Sequence, residues 1–212
     1  MLLIFDLDGT LIDSQVDLIH SVNAMLLHMD RGTMSDDAVR GYIGNGALAL
    51  VQRVLGPGMS DDDIAAAHDY FIAHYKEHSL DTTTLYPGVG DALRNLSAAG
   101  HRLAILTNKP KGISRNIVAG LGIGEYFFSV LGGNSFWVKK PHPIGIDTLC
   151  EKSGIAKADT WMIGDSSVDI ETARNAGVRS CGVTYGIKPE SLKDVPPDLL
   201  VDHLDEFVRY IR

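Results

Sequence analysis

The sequence predicts an α/β protein in which a doubly wound parallel sheet carries an inserted helical domain. Four short apolar runs recur along the chain, at residues 2–5, 102–107, 160–165 and 180–185. From residue 84 onwards these runs alternate with amphipathic segments, a pattern typical of the strands and helices of a parallel sheet. Residues 15–83, by contrast, read as one helix after another, with no apolar strand run.

The first run, Leu2-Leu3-Ile4-Phe5, is apolar throughout and ends at Asp6. This is expected of a strand that is buried on both faces and then reaches the edge of its sheet. The other three runs are interpreted in the same way, and shorter strand candidates lie at residues 128–132 and 199–201.

The clearest helix covers residues 88–100. Its apolar residues Val89, Ala92, Leu93 and Leu96 share one helical face, and Gly100 is a candidate C-cap. Further helices are predicted at residues 113–121, 144–153 and 167–176.

These elements divide the chain into two predicted domains. Residues 1–14 and 84–212 form a Rossmann-like catalytic core, and residues 15–83 form a helical cap that is inserted after the first strand. The sequence Tyr86-Pro87-Gly88 is a turn signal that marks the return of the chain to the sheet.

Composition limits the classes of partner. The formal net charge of −8 disfavours nucleic acid and anionic membranes. No apolar run approaches the roughly 20 residues that a membrane-spanning helix needs. The two cysteines, Cys150 and Cys181, predict buried free thiols rather than a disulfide framework. We therefore expect a soluble cytoplasmic protein, either monomer or homodimer, whose partner is a small metabolite. An anionic substrate would need a cation as intermediary.

Reactive residue types stand where three of the predicted strands end. These residues are Asp6, Thr107 and Asp165. Open parallel sheets bind ligands at the carboxyl ends of their strands, beside the point where the strand order reverses. The sequence therefore predicts a site for a metal or a phosphate group at this edge.

Asp6 and Asp8 are two positions apart, and a turn at Gly9 can aim both carboxylates at one site. Two like charges this close share a proton or bind a cation, and the oxygen-only ligand set of Asp6, Asp8 and Asp165 suits Mg²⁺. The alternative is that both aspartates only cap a helix that begins after Thr10. A calcium loop is excluded, because Leu11 stands where it requires glycine.

Polar residues after two further strands complete the candidate site. Thr107 and Asn108 can donate hydrogen bonds to a phosphate, and one lysine of Lys139-Lys140-Pro141 can balance the carboxylates. Each of these signals also has a simpler interpretation, as a turn or as a solvent-facing loop.

Asp165 and Asp169 stack on one helical face if the helix begins by Asp165. The alternative here is an N-cap followed by a first-turn acid. The order of all these residues along the chain favours a functional site.

The run Asp6-Leu7-Asp8-Gly9-Thr10, followed by Thr107, Lys140, Asp165 and Asp169, resembles the phosphatases of the haloacid dehalogenase superfamily. The similarity spans nearly the whole chain. Four further segments are similar to phosphoglycolate phosphatases within that superfamily: Gly44-Asn45-Gly46-Ala47, Thr107-Asn108-Lys109-Pro110, Gly132-Gly133 and Lys139-Lys140-Pro141-His142-Pro143.

The resemblance implies roles for the two aspartates of the first motif. Asp6 would attack phosphorus and form an aspartyl phosphate, while Asp8 would protonate the leaving group and then activate water. Mg²⁺ would bind the carboxylates of Asp6 and Asp165 and the backbone carbonyl of Asp8. Asp169 would not bind the ion itself but would help to hold these ligands in position.

The resemblance also implies how the substrate is bound. Thr107, Asn108 and Lys140 would hold the phosphoryl oxygens, and the cap loop Gly44-Asn45-Gly46 would read the organic part of the substrate. Two alternatives stay open: a phosphosugar mutase of the same superfamily, and a catalytically silent binding module on this fold.

Some residues depart from the pattern or have weak signals. Phosphoglycolate phosphatases tend to carry an acidic residue where this chain has Asn134-Ser135-Phe136-Trp137, so these aromatic side chains either line the substrate entrance or serve as packing. His142 either lines the site or faces solvent. The helical pair His74 and His78 is interpreted as part of an exposed helix rather than as a zinc site.

Overall fold

The computed structural model describes residues 1–211, which form a six-stranded parallel sheet with helices on both faces. The strand order is β5-β4-β1-β6-β7-β8. The strands are β1 (Leu2–Phe5), β4 (Arg102–Leu106), β5 (Phe127–Leu131), β6 (Thr160–Gly164), β7 (Arg179–Val183) and β8 (Leu199–Val201). Two strands of two residues each, β2 (Ile12–Asp13) and β3 (Thr84–Leu85), lie outside this sheet. The predicted doubly wound parallel sheet is confirmed.

Register places the ends of the central strands level with one another. Phe5 at the end of β1 pairs with Ile105 of β4 on one side and with Ile163 of β6 on the other. The chain order reverses beside β1, since β4 and β5 lie on one side of it and β6, β7 and β8 on the other. This edge is therefore the topological switch point at which such sheets bind ligands.

The helices that cover the sheet are α5 (Val89–Ala98), α6 (Lys111–Gly120), α7 (Ile144–Ser153), α8 (Ser167–Ala176) and α9 (Leu204–Tyr210). Alternate strand residues point to opposite faces, so Leu2 and Ile4 of β1 join a buried cluster with Ile146 of α7. On the other face Trp161 packs edge-on against Phe207 of α9, with ring centroids 5.4 Å apart. Burial of β1 on both faces explains its uninterrupted apolar sequence.

The chain folds as two compact units, of which the first comprises Met1–Asp13 and the residues from Leu85 onwards, and contains the six-stranded sheet. The second unit, Ser14–Thr84, contains α1 (Gln15–His28), α2 (Asp36–Arg40), α3 (Ala47–Leu55) and α4 (Asp61–His78). None of the described helices combines the length and the apolar character that a membrane span requires.

The helical unit has a small core of its own. Phe71 and Tyr75 of α4 stack with ring centroids 5.7 Å apart, and both are buried. Asp17 of α1 is also buried, and its carboxylate accepts four hydrogen bonds, from the backbone N–H and the hydroxyl of both Thr82 and Thr83. Burial opposes ionisation of this carboxyl group, but these hydrogen bonds prevail and lower its pKa. The carboxylate thus ties the start of the unit to its end.

Candidate active site

A tight turn follows β1 and presents the first two aspartates. Asp6 continues the strand, with its N–H donating to Ile163 O at 2.9 Å. Gly9 has a φ of 84°, and the carbonyl of Leu7 accepts from the N–H groups of three following residues. A Cβ on Gly9 would lie 2.3 Å from Asp165 Oδ2, so only glycine allows this turn to approach that carboxylate. The interpretation that Asp6 and Asp8 cap a helix after Thr10 is wrong, because α1 begins at Gln15.

Lys140 lies between two carboxylates. Its Nζ is 2.9 Å from Asp6 Oδ1 and 2.6 Å from Asp169 Oδ1, and its side chain is 2% exposed. Burial by itself would lower the pKa of Lys140, but the charges of Asp169 and Asp6 outweigh it and raise the pKa. A buried ammonium group therefore holds both carboxylates in place. Its neighbour Lys139 is exposed.

Asp169 is bound on both sides. Its Oδ1 pairs with Lys140, and its Oδ2 accepts from Ser166 N at 3.1 Å and Ser166 Oγ at 2.7 Å. This is a capping box at the start of α8. Stacking of Asp165 and Asp169 on one helical face required a helix that begins by Asp165, and this condition is not met, because α8 begins only at Ser167 and Asp165 stands in the loop before it. Asp169 acts as both a helix cap and the partner of Lys140.

Asp165 follows β6 and is enclosed by the loop after β7. Its Oδ2 accepts from the N–H groups of Ile187 at 2.7 Å and Lys188 at 3.1 Å. Burial raises the pKa of Asp165 to about 7, and the nearby charges of Asp169 and Asp6 contribute to the shift. The backbone N–H groups act in the opposite direction without cancelling it. The sequence had given no indication that residues 187 and 188 support this carboxylate.

Three carboxylates at this edge could hold a metal ion. Oxygen atoms of Asp6, Asp165 and Asp169 lie within 4.8 Å of one another. Burial, with help from Asp169, raises the pKa of Asp6 to about 6, although Lys140 acts to lower it. Asp165 is buried and Asp6 is half-buried, and a divalent cation lowers the electrostatic cost of ionising two such carboxyl groups side by side. Because Asp169 is already bound on both sides, Asp6 and Asp165 are the residues that fit the ion.

Lys109 is a residue of this site that the sequence reasoning did not assign. Its Nζ is 2.7 Å from Asp8 Oδ1, and its side chain is 3% exposed. The family resemblance covers the segment Thr107-Asn108-Lys109-Pro110 without giving Lys109 a role of its own. The available signal is a lysine two positions after the predicted strand at residues 102–107, which places it at the same edge of the sheet as Asp8.

Thr107 and Asn108 both lie at this edge and are buried. Thr107 Oγ1 accepts from Lys109 N at 3.2 Å. The side-chain amide of Asn108 brackets the backbone of Lys140, accepting from its N–H at 3.1 Å and donating to its carbonyl at 3.3 Å. In this structure Asn108 therefore positions Lys140.

The glycine pair after β5 is explained by a close approach of two loops. A Cβ on Gly132 would lie 2.3 Å from Lys111 N, and one on Gly133 would lie 2.2 Å from Asn108 O. Both contacts are with backbone, which cannot move aside. The pair therefore allows the loop after β5 to pack against the segment that carries Asn108 and Lys109.

Several sequence candidates lie elsewhere in the molecule. Gly44, Asn45 and Gly46 belong to the helical unit, between α2 and α3, where Asn45 Oδ1 accepts from Arg53 Nη1 at 3.1 Å. Their role in substrate binding stays a prediction.

The aromatic and histidine candidates differ in how far they are buried. Phe136 packs against the buried cluster beside α7, whereas Trp137 is fully exposed. His142 is exposed, and its Nδ1 accepts from Ile144 N. Nδ1 of His74 is bonded to Ser21 Oγ.

The chain is similar in sequence and in fold to known proteins. The family model for haloacid dehalogenase-like hydrolases matches residues 3–183. A phosphoglycolate phosphatase from Vibrio parahaemolyticus is 37% identical, with 99% of this chain and 95% of that protein covered. One from Vibrio vulnificus is 38% identical, with 98% and 94% covered. The crystal structure of a predicted phosphoglycolate phosphatase from Haemophilus somnus superposes with a TM-score of 0.94 at 33% identity, covering 100% of this chain and 97% of that one.

Proposed function

Because this chain belongs to the haloacid dehalogenase-like hydrolase family, we propose that it is a magnesium-dependent phosphomonoesterase that hydrolyses 2-phosphoglycolate through an aspartyl phosphate. The family predicted from the motifs is confirmed, and the chain is a hydrolase. The observation that carries the proposal is the arrangement of Asp6, Asp165 and Lys140, in which an acidic pair that suits a divalent cation lies beside a buried ammonium group. The names of the Vibrio relatives supply the substrate.

Asp6 is the proposed nucleophile. The contact with Lys140 fixes the direction of its carboxylate, and the turn at Gly9 keeps Asp8 on the same side of the sheet edge. A carboxylate oxygen of Asp6 attacks phosphorus, the bond from phosphorus to the glycolate oxygen breaks, and Asp8 delivers a proton to that oxygen. Water then attacks the aspartyl phosphate while Asp8 accepts its proton, so that Asp6 is regenerated and phosphate is released.

The remaining residues hold charge and position. Asp6, Asp165 and the backbone carbonyl of Asp8 would hold Mg²⁺, which when bound neutralises the phosphoryl oxygens. Lys140 supplies a second positive charge at a fixed position, and a charge that is already in place costs no reorganisation as the transition state forms. Thr107 supplies a hydroxyl group at the same edge, and Asn108 contributes by fixing the backbone of Lys140.

The helical unit is proposed to act as the predicted cap. Residues 15–83 are proposed to read the organic part of the substrate, with Gly44, Asn45 and Gly46 as the reading loop. The cytoplasmic location and the monomer or homodimer state also stay predictions.

The test is phosphate release by the purified protein from 2-phosphoglycolate, with Mg²⁺ and with EDTA. We expect release only with Mg²⁺. The Asp6→Asn variant should lose at least about a thousandfold in kcat, whereas Asp91→Asn, an exposed carboxylate on α5, should keep full activity. Urea unfolding curves should show both variants folded.

Three outcomes would contradict the proposal, each in a different way. Unchanged turnover by Asp6→Asn would remove the nucleophile. Isomerised hexose phosphate without free phosphate would identify a mutase. Folded protein that releases no phosphate from 2-phosphoglycolate or from an aryl phosphate would favour a silent binding module.

A further inference from the structure

The two buried lysines at the sheet edge have separate partners. Lys140 contacts Asp6 and Asp169, whereas the Nζ of Lys109 contacts Asp8 at 2.7 Å. The two residues of this second pair are 101 positions apart in the chain. Burying an ammonium group is costly unless a partner compensates it. A second buried ammonium group is therefore paired with Asp8, whereas Lys140 is paired with Asp6 and Asp169.

The backbone of Lys109 is rigidly held. Its N–H donates to Thr107 Oγ1 at 3.2 Å, and its carbonyl accepts from Gly133 N at 2.8 Å. A Cβ on Gly132 would lie 2.7 Å from that same carbonyl. A side chain whose backbone is fixed at a strand end can hold its partner to a narrow range of positions.

Asp8 needs such support. It precedes Gly9, which has a left-handed backbone, and its side chain is 15% exposed. A carboxyl group next to solvent at a turn has several rotamers open to it, and only one of them places an oxygen where a proton must be exchanged. Proton transfer requires the two heavy atoms to come within hydrogen-bond reach.

We propose that Lys109 is a positioning residue, which fixes the carboxyl group of Asp8 for proton transfer to the leaving oxygen and from water. This inference rests on the phosphatase function proposed above. Lys109 acts through Asp8, and the phosphoryl group is held by Lys140. We therefore expect loss of Lys109 to harm the steps in which Asp8 moves a proton more than the binding of the phosphoryl group.

The proton requirement of the leaving group separates this role from phosphate binding. The glycolate oxygen leaves as a poor alkoxide and needs a proton, whereas p-nitrophenolate leaves without one. The value of kcat/KM reports the steps up to departure of the leaving group. A misplaced Asp8 should therefore lower kcat/KM for 2-phosphoglycolate far more than for p-nitrophenyl phosphate.

The experiment is a double-mutant cycle of Lys109→Met with Asp8→Asn, measured with both substrates in Mg²⁺. We expect Lys109→Met to lower kcat/KM for 2-phosphoglycolate by about 10- to 100-fold, and that for p-nitrophenyl phosphate by about threefold or less. In the Asp8→Asn background the further loss should be under about twofold, because residues that act as a unit are not additive. Lys109→Arg should recover part of the activity. The exposed Lys139→Met is the matched control and should behave as wild type.

An equal loss with both substrates that persists in the Asp8→Asn background would overturn the proposal and assign Lys109 to phosphate binding. If Lys109→Met does not fold, Lys109→Arg carries the same comparison, since a loss confined to the alkyl substrate supports positioning and an equal loss refutes it. The activity of the unmutated protein is measured first with both substrates. Absence of activity on both would overturn the phosphatase function itself, before any variant is compared.

Discussion

Replacing Lys140 by methionine tests how far one buried cation holds the site together. Methionine has a similar length and no charge, so the change removes the contacts with Asp6 at 2.9 Å and Asp169 at 2.6 Å and leaves most of the packing. The Asp169 side chain has no exposed surface, so water cannot replace the lost partner there.

The size of the effect follows from the burial of these groups. Removing one partner of a buried ion pair destabilises a protein by about 3–5 kcal/mol, because the other charge is left uncompensated. We expect a loss in that range at pH 8. The contribution of Lys140 is itself independent of pH in the working range, because a raised lysine pKa keeps the group charged below its ordinary value of 10.5.

The sign of the pH dependence comes from Asp6, whose pKa is raised to about 6. At pH 5, below that pKa, this carboxyl group is mostly protonated in the wild type, so that little of its charge is left uncompensated when Lys140 is removed. At pH 8 it is ionised in the wild type. In Lys140→Met it must either stay ionised without a neighbouring cation or bind a proton at a pH at which protons are scarce, and both cost folding free energy. The destabilisation should therefore be larger at pH 8 than at pH 5.

Urea unfolding of the metal-free protein at pH 5 and pH 8 measures both quantities. Lys139→Met is the matched control, because that lysine is the exposed neighbour of Lys140, and it should change the free energy of unfolding by no more than about 0.5 kcal/mol. Two results would refute the electrostatic reasoning. One is a free energy of unfolding for Lys140→Met equal to that of Lys139→Met at pH 8, and the other is the same loss of unfolding free energy at both pH values.

Two further predictions concern Asp17 and the metal. Asp17→Asn replaces one carboxylate oxygen, which accepts two of the hydrogen bonds from residues 82–83, with an amide NH2 group. Each buried donor that is left unpaired costs about 1–3 kcal/mol. Its urea midpoint should fall well below that of Glu77→Gln, an exposed control on α4. Because the pKa of Asp17 is lowered, the difference should narrow only as the pH falls below 3.8, and equal midpoints at pH 7 would contradict this. Mg²⁺ should raise the melting temperature more at pH 8 than at pH 5.5, because protons on Asp6 and Asp165, with pKa values of about 6 and 7, compete with the ion. Metal at 100 times its Kd stabilises by about 2.7 kcal/mol, and an equal shift at both pH values would remove these carboxylates as ligands.

The sheet could be predicted because its signals are local. The run of β1 is apolar in every residue, since both faces of a central parallel strand are buried. The bounds of α7 and α8 agree with the predicted helices at 144–153 and 167–176. Apolar periodicity and turn residues are written into short segments, so one sequence suffices to find them.

Partners within the site could not be predicted in the same way. The shared helical face of Asp165 and Asp169 depended on where the helix begins, and Ser166 takes the N-cap, so that α8 begins two residues beyond Asp165. The role of Asn108 at the phosphate stays a prediction, whereas the contacts of its amide with the Lys140 backbone have no local signal in the sequence. Lys109 carries no local signal of its partner, because a lysine in a loop is usually solvent-facing.

The sequence alone determined which chemistry stands at the sheet edge, because parallel strands end together and the residue after each strand can be read directly. Asp6, Thr107 and Asp165 follow from that rule. Only the tertiary structure decided that Lys140 serves Asp6 and Asp169 while Lys109 serves Asp8. Ion pairing depends on which side chains converge within about 3 Å, and a separation of 101 residues between Asp8 and Lys109 leaves no local trace of that convergence.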